Sequence, residues 1–159
     1  MSYIQRSLGD GERLVSLARF HWLYSLQAWL ALLLPIAILI SIIVYADESN
    51  RVSYTIGGLV LAAVGIFVFL RMMIRKWTTE IGITSHRFVK KTGFISLHTD
   101  EVALPNIEGV RLNQSFWGRI FDYGRLRIEG TGDDFVDLPT IEDPVGFRRA
   151  IETAKGMKG

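Results

Sequence analysis

The chain has 159 residues, of which 49% are hydrophobic and 21% charged, with a formal net charge of +2 at pH 7. This length corresponds to about one domain, so a membrane segment would share the chain with a single small soluble module. The apolar fraction excludes disorder over most of the chain, and the lack of cysteine excludes disulfides, thiol nucleophiles and thiolate metal sites. A mean hydropathy of +0.25, in a chain with 18 basic and 16 acidic residues, indicates that the apolar residues are concentrated in particular segments.

Two uncharged runs predict a transmembrane hairpin. The first covers residues 23–46 and the second residues 52–70, with only residues 47–51 between them. At about 1.5 Å per residue they form helices of about 36 Å and 28 Å, against a hydrocarbon core of about 30 Å. The short connection makes the helices antiparallel, because open backbone is not tolerated in lipid. A buried helix pair in a soluble core and, for the first run, a cleaved signal peptide are the alternatives.

Basic residues concentrate on one side of this hairpin. Between the spans the single basic residue is Arg51, which stands near Asp47 and Glu48. Six basic residues lie near the other ends of the spans: Arg6, Arg13, Arg19, Arg71, Arg75 and Lys76. The positive-inside bias therefore predicts a multi-pass membrane protein with both termini in the cytoplasm and the short loop outside.

Three small residues of the second span share one helix face. Gly58, Ala62 and Gly65 recur at i, i+4 and i+7, which allows another backbone to approach closely. The approaching helix is either the first span of the same hairpin or a span of a second copy. Neither span contains Asp, Glu, Lys, Arg or His, so an ion or proton pathway through this hairpin alone is not expected.

From Trp77 onward the apolar pattern shortens to the alternating segments that are typical of β-strands. Six strands are predicted, over residues 77–83, 87–91, 99–104, 107–112, 125–129 and 135–138. A hairpin loop, residues 130–134, separates the last two. The chain ends with a change of period, because Asp143 is a good N-cap and Pro144 suits the first helical position. The pattern therefore predicts one amphipathic C-terminal helix over residues 143–155.

Short motifs in one collinear order extend over nearly the whole chain. They lie at residues 11–15 with 19–22, 77–80 with 83–87, 91–93, 107–110, 114–115, 118–119, 123–124, 130–132, and 143–144 with 147. In these motifs the chain resembles the bacterial pleckstrin-homology-like (PH-like) membrane proteins of the YdbS-like group. The resemblance implies a membrane α-hairpin of two transmembrane helices and an all-β PH-like barrel or sandwich capped by one C-terminal α-helix.

The resemblance also implies seven strands, so a further short strand is expected near residues 94–97. Phe116 and Trp117 depart from the family pattern, which more often has two aliphatic residues there, and Ser85 stands where Asn is commoner. The expected organisation is a cytoplasmic N-terminal segment of residues 1–22, a transmembrane hairpin of residues 23–70 and a cytoplasmic PH-like domain of residues 71–159.

The titratable residues predict no catalytic site, no metal site and no cofactor. His21, His86 and His98 have no ligand-like neighbours at metal-site spacing. Adjacent carboxylates fall in turns, at a helix start or on opposite faces of a strand. Neither a G-x-S-x-G elbow nor a Walker-type phosphate loop is present. We therefore predict that the protein is not an enzyme; a site assembled only between protomers is the distant alternative.

Two sets of basic residues are candidates for contact with anionic phospholipid. They are Arg71, Arg75 and Lys76 after the second span, and Arg87, Lys90 and Lys91 on the first β-hairpin. Each basic group gains on the order of 1 kcal/mol beside an anionic leaflet, and salt reduces this gain. Alternatively, the first set only orients the hairpin and the second is solvated. Nucleic-acid binding is not predicted, because acidic and basic residues are interspersed.

Residues 116–124 include four aromatic side chains, and two interpretations of them remain open. In the first, Phe116, Ile120 and Phe121 fill the core of the domain. In the second, the segment forms an interaction surface, because aromatic residues and Arg are enriched at such surfaces. The protein-interface candidates are Phe116, Trp117, Arg119 and Tyr123.

Together these features predict a non-catalytic integral protein of the bacterial inner membrane. It would present a PH-like domain at the cytoplasmic membrane surface as an adaptor or assembly module, with a protein partner or a second copy of itself. The alternative is an accessory or assembly subunit of a larger membrane protein complex.

Overall fold

The computed structural model describes residues 3–94, 96–132 and 134–156. The chain divides into two compact units. Residues 22–76 form a helical unit, and the β unit combines the residues up to His21 with those from Trp77 onward. The helical unit is therefore an insertion in the sequence of the β unit.

The helical unit consists of two long helices, α2 (Trp22–Tyr45) and α3 (Arg51–Thr78). Both are long and apolar enough to cross a membrane. The predicted small residues of α3 are buried against α2 of the same hairpin. A Cβ atom built on Gly65 would lie 2.5 Å from the carbonyl oxygen of Ala31, so only glycine allows this approach.

The β unit contains two antiparallel sheets. The first has the order β1-β2-β3-β4, with β1 (Leu14–Ala18), β2 (Glu80–Thr84), β3 (Arg87–Thr92) and β4 (His98–Ala103). The second contains β5 (Gly109–Asn113), β6 (Tyr123–Glu129), β7 (Phe135–Asp137) and β8 (Ile141–Glu142), in which both β7 and β8 pair with β6. The helices are α1 (Tyr3–Arg6), α4 (Phe116–Ile120) and α5 (Pro144–Gly156), and a 3-10 turn covers Leu104–Asn106.

One hydrophobic core joins the two sheets to α5. Leu126 and Ile128 of β6 are buried, whereas the alternating residues Arg125 and Arg127 are exposed, because successive side chains of a strand point to opposite faces. The remaining buried members are Ile81, Ile83, Phe88, Leu104, Ile107, Leu138, Ile141, Phe147, Ile151 and Ala154. The C-terminal helix begins as predicted, since the Asp143 carboxylate accepts a hydrogen bond from the Gly146 amide at 2.8 Å. The fold is thus the predicted PH-like sandwich with one C-terminal helix.

The first predicted strand differs from the structure at its start. Trp77 and Thr78 form the last turn of α3, and β2 begins only at Glu80. Over so few residues, the apolar pattern that begins at Trp77 is compatible with both a strand and a helix. The first two residues of the predicted strand belong to the end of α3.

Two strands were not predicted. Residues 14–18 form β1, which pairs with β2 from Leu14 opposite Thr84 to Ala18 opposite Ile81. The expected separate N-terminal segment thus contributes an edge strand to the β unit. β8 has only two residues, too few for a period to be recognised.

The strand expected near residues 94–97 is not seen where the structure describes that turn. Phe94, Ser96 and Leu97 lie outside strands, while Ile95 lies outside the described residues. The loop predicted over residues 130–134 connects β6 to β7, and Asp133 within it also lies outside the described residues.

Candidate functional site

A short helix that displays aromatic side chains is the most distinctive surface feature of the β unit. Its N-cap is Ser115, whose hydroxyl accepts a hydrogen bond from the Gly118 amide at 3.1 Å. Gly118 is buried, and a Cβ atom there would lie 2.5 Å from the carbonyl oxygen of Tyr123. The Gln114 side-chain amide donates to the carbonyl of Gly118 at 3.0 Å. These contacts fix α4 closely against the start of β6.

The apolar side chains of α4 point away from the core. Phe116 is 71% exposed, Trp117 60% and Ile120 56%, and Phe121 just after the helix is also exposed. The Trp117 ring stacks on that of Phe121 and meets that of Phe116 edge-on. This excludes the interpretation in which Phe116, Ile120 and Phe121 fill the core. Arg119 is exposed beside them.

Tyr123 differs from this exposed group, because its side chain packs inside the β unit. Its side chain is half-buried, and its ring lies 5.1 Å from that of His21. His21 is the residue before α2 and is buried. Of the predicted protein-interface candidates, Tyr123 therefore contributes mainly to packing within the β unit, whereas Phe116, Trp117 and Arg119 are accessible.

The three basic candidates near the end of α3 differ in exposure. Arg71 and Arg75 are exposed and, four residues apart, lie on one face of the helix. The Lys76 ammonium instead donates a hydrogen bond to the Ser25 hydroxyl at 2.5 Å. Arg71 and Arg75 are therefore the more accessible cations of this set.

The three basic candidates of β3 are all engaged within the β unit. Lys90 donates to the carbonyl oxygen of Asp137 at 2.9 Å and lies 3.6 Å from the Asp100 carboxylate. The Lys91 ammonium lies over the Tyr3 ring, 5.9 Å from its centroid. Arg87 forms the centre of a polar network that the sequence did not indicate.

Glu12 is the buried carboxylate of this network, and its side chain is 6% exposed. It accepts hydrogen bonds from the Gly9 amide at 2.8 Å, from the Thr84 hydroxyl at 2.5 Å and from Arg87 at 3.1 Å. Burial raises the pKa of Glu12, but these hydrogen bonds and the charge of Arg87 outweigh it and hold the pKa below its ordinary value. Glu12 therefore stays ionised and ties the N-terminal segment to the β2–β3 turn.

Arg87 completes the network on its other side. Its guanidinium also donates to the Glu101 carboxylate at 2.7 Å and to the carbonyl of Ser7 at 2.8 Å. Burial lowers the pKa of Arg87, but the hydrogen bonds and charges of Glu12 and Glu101 outweigh this effect, so the pKa lies above its ordinary value. Glu101 lies on β4, which pairs with β3. Glu12 and Ser7 are far from Arg87 in sequence, and the pairing of the unpredicted strand β1 with β2 explains why they meet it.

An open cleft of about 430 Å³ lies beside this network, lined by Gly9, Asp10, Glu12, His86, Arg87 and Ala103. Two of its lining residues, Glu12 and Arg87, form an ion pair with each other. Within the described residues, no group of three or more acidic, histidine or cysteine side chains could hold a metal ion.

Comparison with known proteins identifies the family. No curated protein and no solved structure matches the chain. A family model described as the bacterial PH domain matches residues 13–154, which is most of the chain and begins just before β1. This match confirms the resemblance found in the sequence motifs. The chain therefore belongs to the bacterial PH-domain family.

Proposed function

We propose that this protein is a non-catalytic, multi-pass protein of the bacterial inner membrane that presents its PH-like β unit at the cytoplasmic surface as an adaptor or assembly module. The observation that carries the proposal is the insertion of the helical unit between β1 and β2, which pair with each other. Three residues separate β1 from α2, and one residue separates α3 from β2. The module is thus tethered twice, through connections too short to act as flexible linkers.

A double short tether suits an adaptor because it fixes the local concentration of the module. A partner that lies in or on the same membrane then meets the β unit in a local encounter rather than from bulk solution. The basic residues support the orientation, since Arg71 and Arg75 are exposed near the end of α3 that leads into the β unit. Such residues favour the cytoplasmic side and attract anionic phospholipid.

The non-catalytic assignment is supported by how the polar groups of the β unit are used. Arg87 forms ion pairs with both Glu12 and Glu101, and the Asp143 carboxylate caps α5. These are structural roles. A measurable turnover that disappears when one polar side chain is replaced would contradict the assignment.

The second candidate function is an accessory or assembly subunit of a larger membrane complex. The exposed aromatic side chains of α4 favour it, because a foreign subunit could cover them. The small-residue face of α3 does not add support, since α2 of the same chain occupies it.

Native mass spectrometry of the full chain, released in a mild detergent, separates the two functions. The adaptor proposal predicts a monomer or homo-oligomer that retains anionic phospholipid, whereas stoichiometric foreign subunits would assign the second function. Replacing Arg71 and Arg75 with Gln should reduce the retained anionic lipid. Arg51→Gln, at the opposite end of α3, is the matched control and should leave it unchanged. Equal retention in both variants would contradict the lipid contact.

A further inference from the structure

We propose that exposed apolar side chains at one end of the β unit insert into the lipid–water interface of the membrane that α2 and α3 cross. The side chains are those of α4 together with Phe94 and Leu97 of the β3–β4 turn. This inference rests on the proposed function, since it requires the hairpin to span a membrane.

The strand register places both connections to the helical unit at one end of the first sheet. β1 continues towards α2 after Ala18, and Ala18 pairs with Ile81 near the start of β2, which follows α3. We call this the junction end. Lys91 near the end of β3 pairs with Glu80 at the start of β2, so the turn from β3 to β4 also lies there. Phe94 and Leu97 of this turn are 74% and 54% exposed.

The second sheet brings α4 to the same end. The His21 amide, just before α2, donates to the carbonyl of Thr140 at 3.4 Å, and Phe20 forms a β-bridge with Ile141. The His21 ring contacts Tyr123, the first residue of β6, which follows α4 after two residues. Two exposed apolar groups, one from each sheet, therefore lie at the junction end of the β unit.

The chemistry of these groups suits a lipid interface. Trp and Phe are favoured at the boundary between headgroups and acyl chains, where an apolar body and a polar edge are both accommodated. Residues 116–121 contain no carboxylate, so insertion would not remove a negative charge from water. The one charged side chain, Arg119, is long enough to keep its guanidinium at headgroup level.

A bilayer is favoured over a protein as the occupant because of this location. The two groups belong to different sheets but both lie at the junction end. A single extended surface at that end would therefore contact both of them. A membrane crossed by α2 and α3 would be such a surface, because both helices connect to the β unit at the junction end. The close contact of Gly118 with the Tyr123 backbone holds α4 in place before insertion, so insertion would cost little conformational entropy.

The test uses the full chain, which has no cysteine and so accepts single-cysteine variants for labelling. Ile120→Cys and Leu97→Cys report on the two proposed contacts. Phe135→Cys is the matched control, since Phe135 is 57% exposed and pairs with Glu129 at the far end of β6, about 20 Å along the strand from Tyr123. Ile40→Cys, on an exposed face of α2, reports on the membrane span itself.

Each variant carries an environment-sensitive fluorophore and is reconstituted into phosphatidylcholine bilayers that contain lipids with a quencher at headgroup or at mid-chain depth. We expect strong quenching by the headgroup quencher at positions 120 and 97, none at 135, and quenching at 40 by the mid-chain quencher. Added salt should not change the result, because the contact is apolar.

Each other outcome has a definite meaning. If positions 120 and 97 respond like 135 while 40 is quenched, the inference fails and the proposed function stands. If a label at 120 is shielded both from lipid quenchers and from a water-soluble quencher, a protein covers α4 and the inference is again overturned. If no lipid quencher reaches position 40, the proposed function fails.

Discussion

Replacing Glu12 with Ala should destabilise the β unit, because this carboxylate ties the N-terminal segment to the β2–β3 turn. The change removes the acceptor for the Gly9 amide, the Thr84 hydroxyl and two nitrogens of Arg87. Thr84 is 1% exposed but can still donate to the carbonyl of Arg87 at 3.0 Å. The Arg87 side chain is 30% exposed and keeps its bond to Glu101.

These remaining contacts set the expected size of the effect. Breaking a buried ion pair by removing one partner costs roughly 3 to 5 kcal/mol, and the retained bonds and partial solvation of Arg87 place this case at the lower limit. We therefore expect the free energy of unfolding of the β unit to fall by about 3 kcal/mol. Asp10→Ala is the matched control. Asp10 is an exposed carboxylate of the same segment, so its loss should change stability by less than about 0.5 kcal/mol.

Hydrogen exchange measured by mass spectrometry on the full chain in detergent gives the result for individual strands. In the Glu12→Ala variant, peptides from β1, β2 and β3 should lose protection, whereas those from α2 and α3 should not. Equal protection of β1 in the Glu12→Ala and Asp10→Ala variants would show that the buried carboxylate does not hold the N-terminal segment.

Three further predictions follow from the same structure. Because the pKa of Glu12 is lowered in the fold, the ionised carboxylate contributes fully to stability at neutral pH, and this contribution is lost progressively as pH falls below about 4.5. In a Glu12→Gln variant, hydrogen exchange should therefore depend less on acid pH, and identical profiles for the two proteins would contradict the lowered pKa. Gly65→Leu should separate α2 from α3 and lower the resistance of the hairpin to SDS, measured by circular dichroism, whereas Gly57→Leu, where nothing lies within 4 Å, should not. Gly118→Ala would place a Cβ atom 2.5 Å from a backbone oxygen of β6, so the amides of residues 116–121 should exchange faster. Unchanged exchange would argue against the close packing of α4 on β6.

The elements with a strong period were predictable from the sequence. The two apolar runs, the alternation of Leu126 and Ile128, and the capped C-terminal helix all correspond to elements of the structure. In each case the signal is local, because the period of the apolar residues and the cap residue are set within a few positions of one another.

The elements that depend on distant partners were missed. β1 is a strand because its residues pair with β2, more than 60 positions away across the helical unit, and its half-buried side chains show no clear alternation. The same insertion hides the Glu12–Arg87 pair. The signal that could have indicated it is Glu12 itself, a carboxylate between two turn glycines and the apolar stretch that begins at Leu14.

The aromatic segment shows a further limit of pattern reasoning. Its composition could not distinguish core from surface, because apolar side chains at Phe116, Ile120 and Phe121 are compatible with both. The contact of Gly118 with β6 decides the matter, since it turns the opposite face of α4 outward. That contact joins residues five positions apart through backbone geometry that no periodicity encodes.

The proposed cytoplasmic, membrane-tethered PH-like unit requires a specific membrane topology, which thiol labelling can measure. Ser49→Cys places a thiol in the loop between α2 and α3, and Thr153→Cys places one on the exposed face of α5. In spheroplasts treated with a membrane-impermeant maleimide, we expect position 49 to be labelled at once and position 153 only after lysis. Labelling of position 153 in intact spheroplasts, with position 49 protected, would place the β unit outside and contradict the proposed cytoplasmic location.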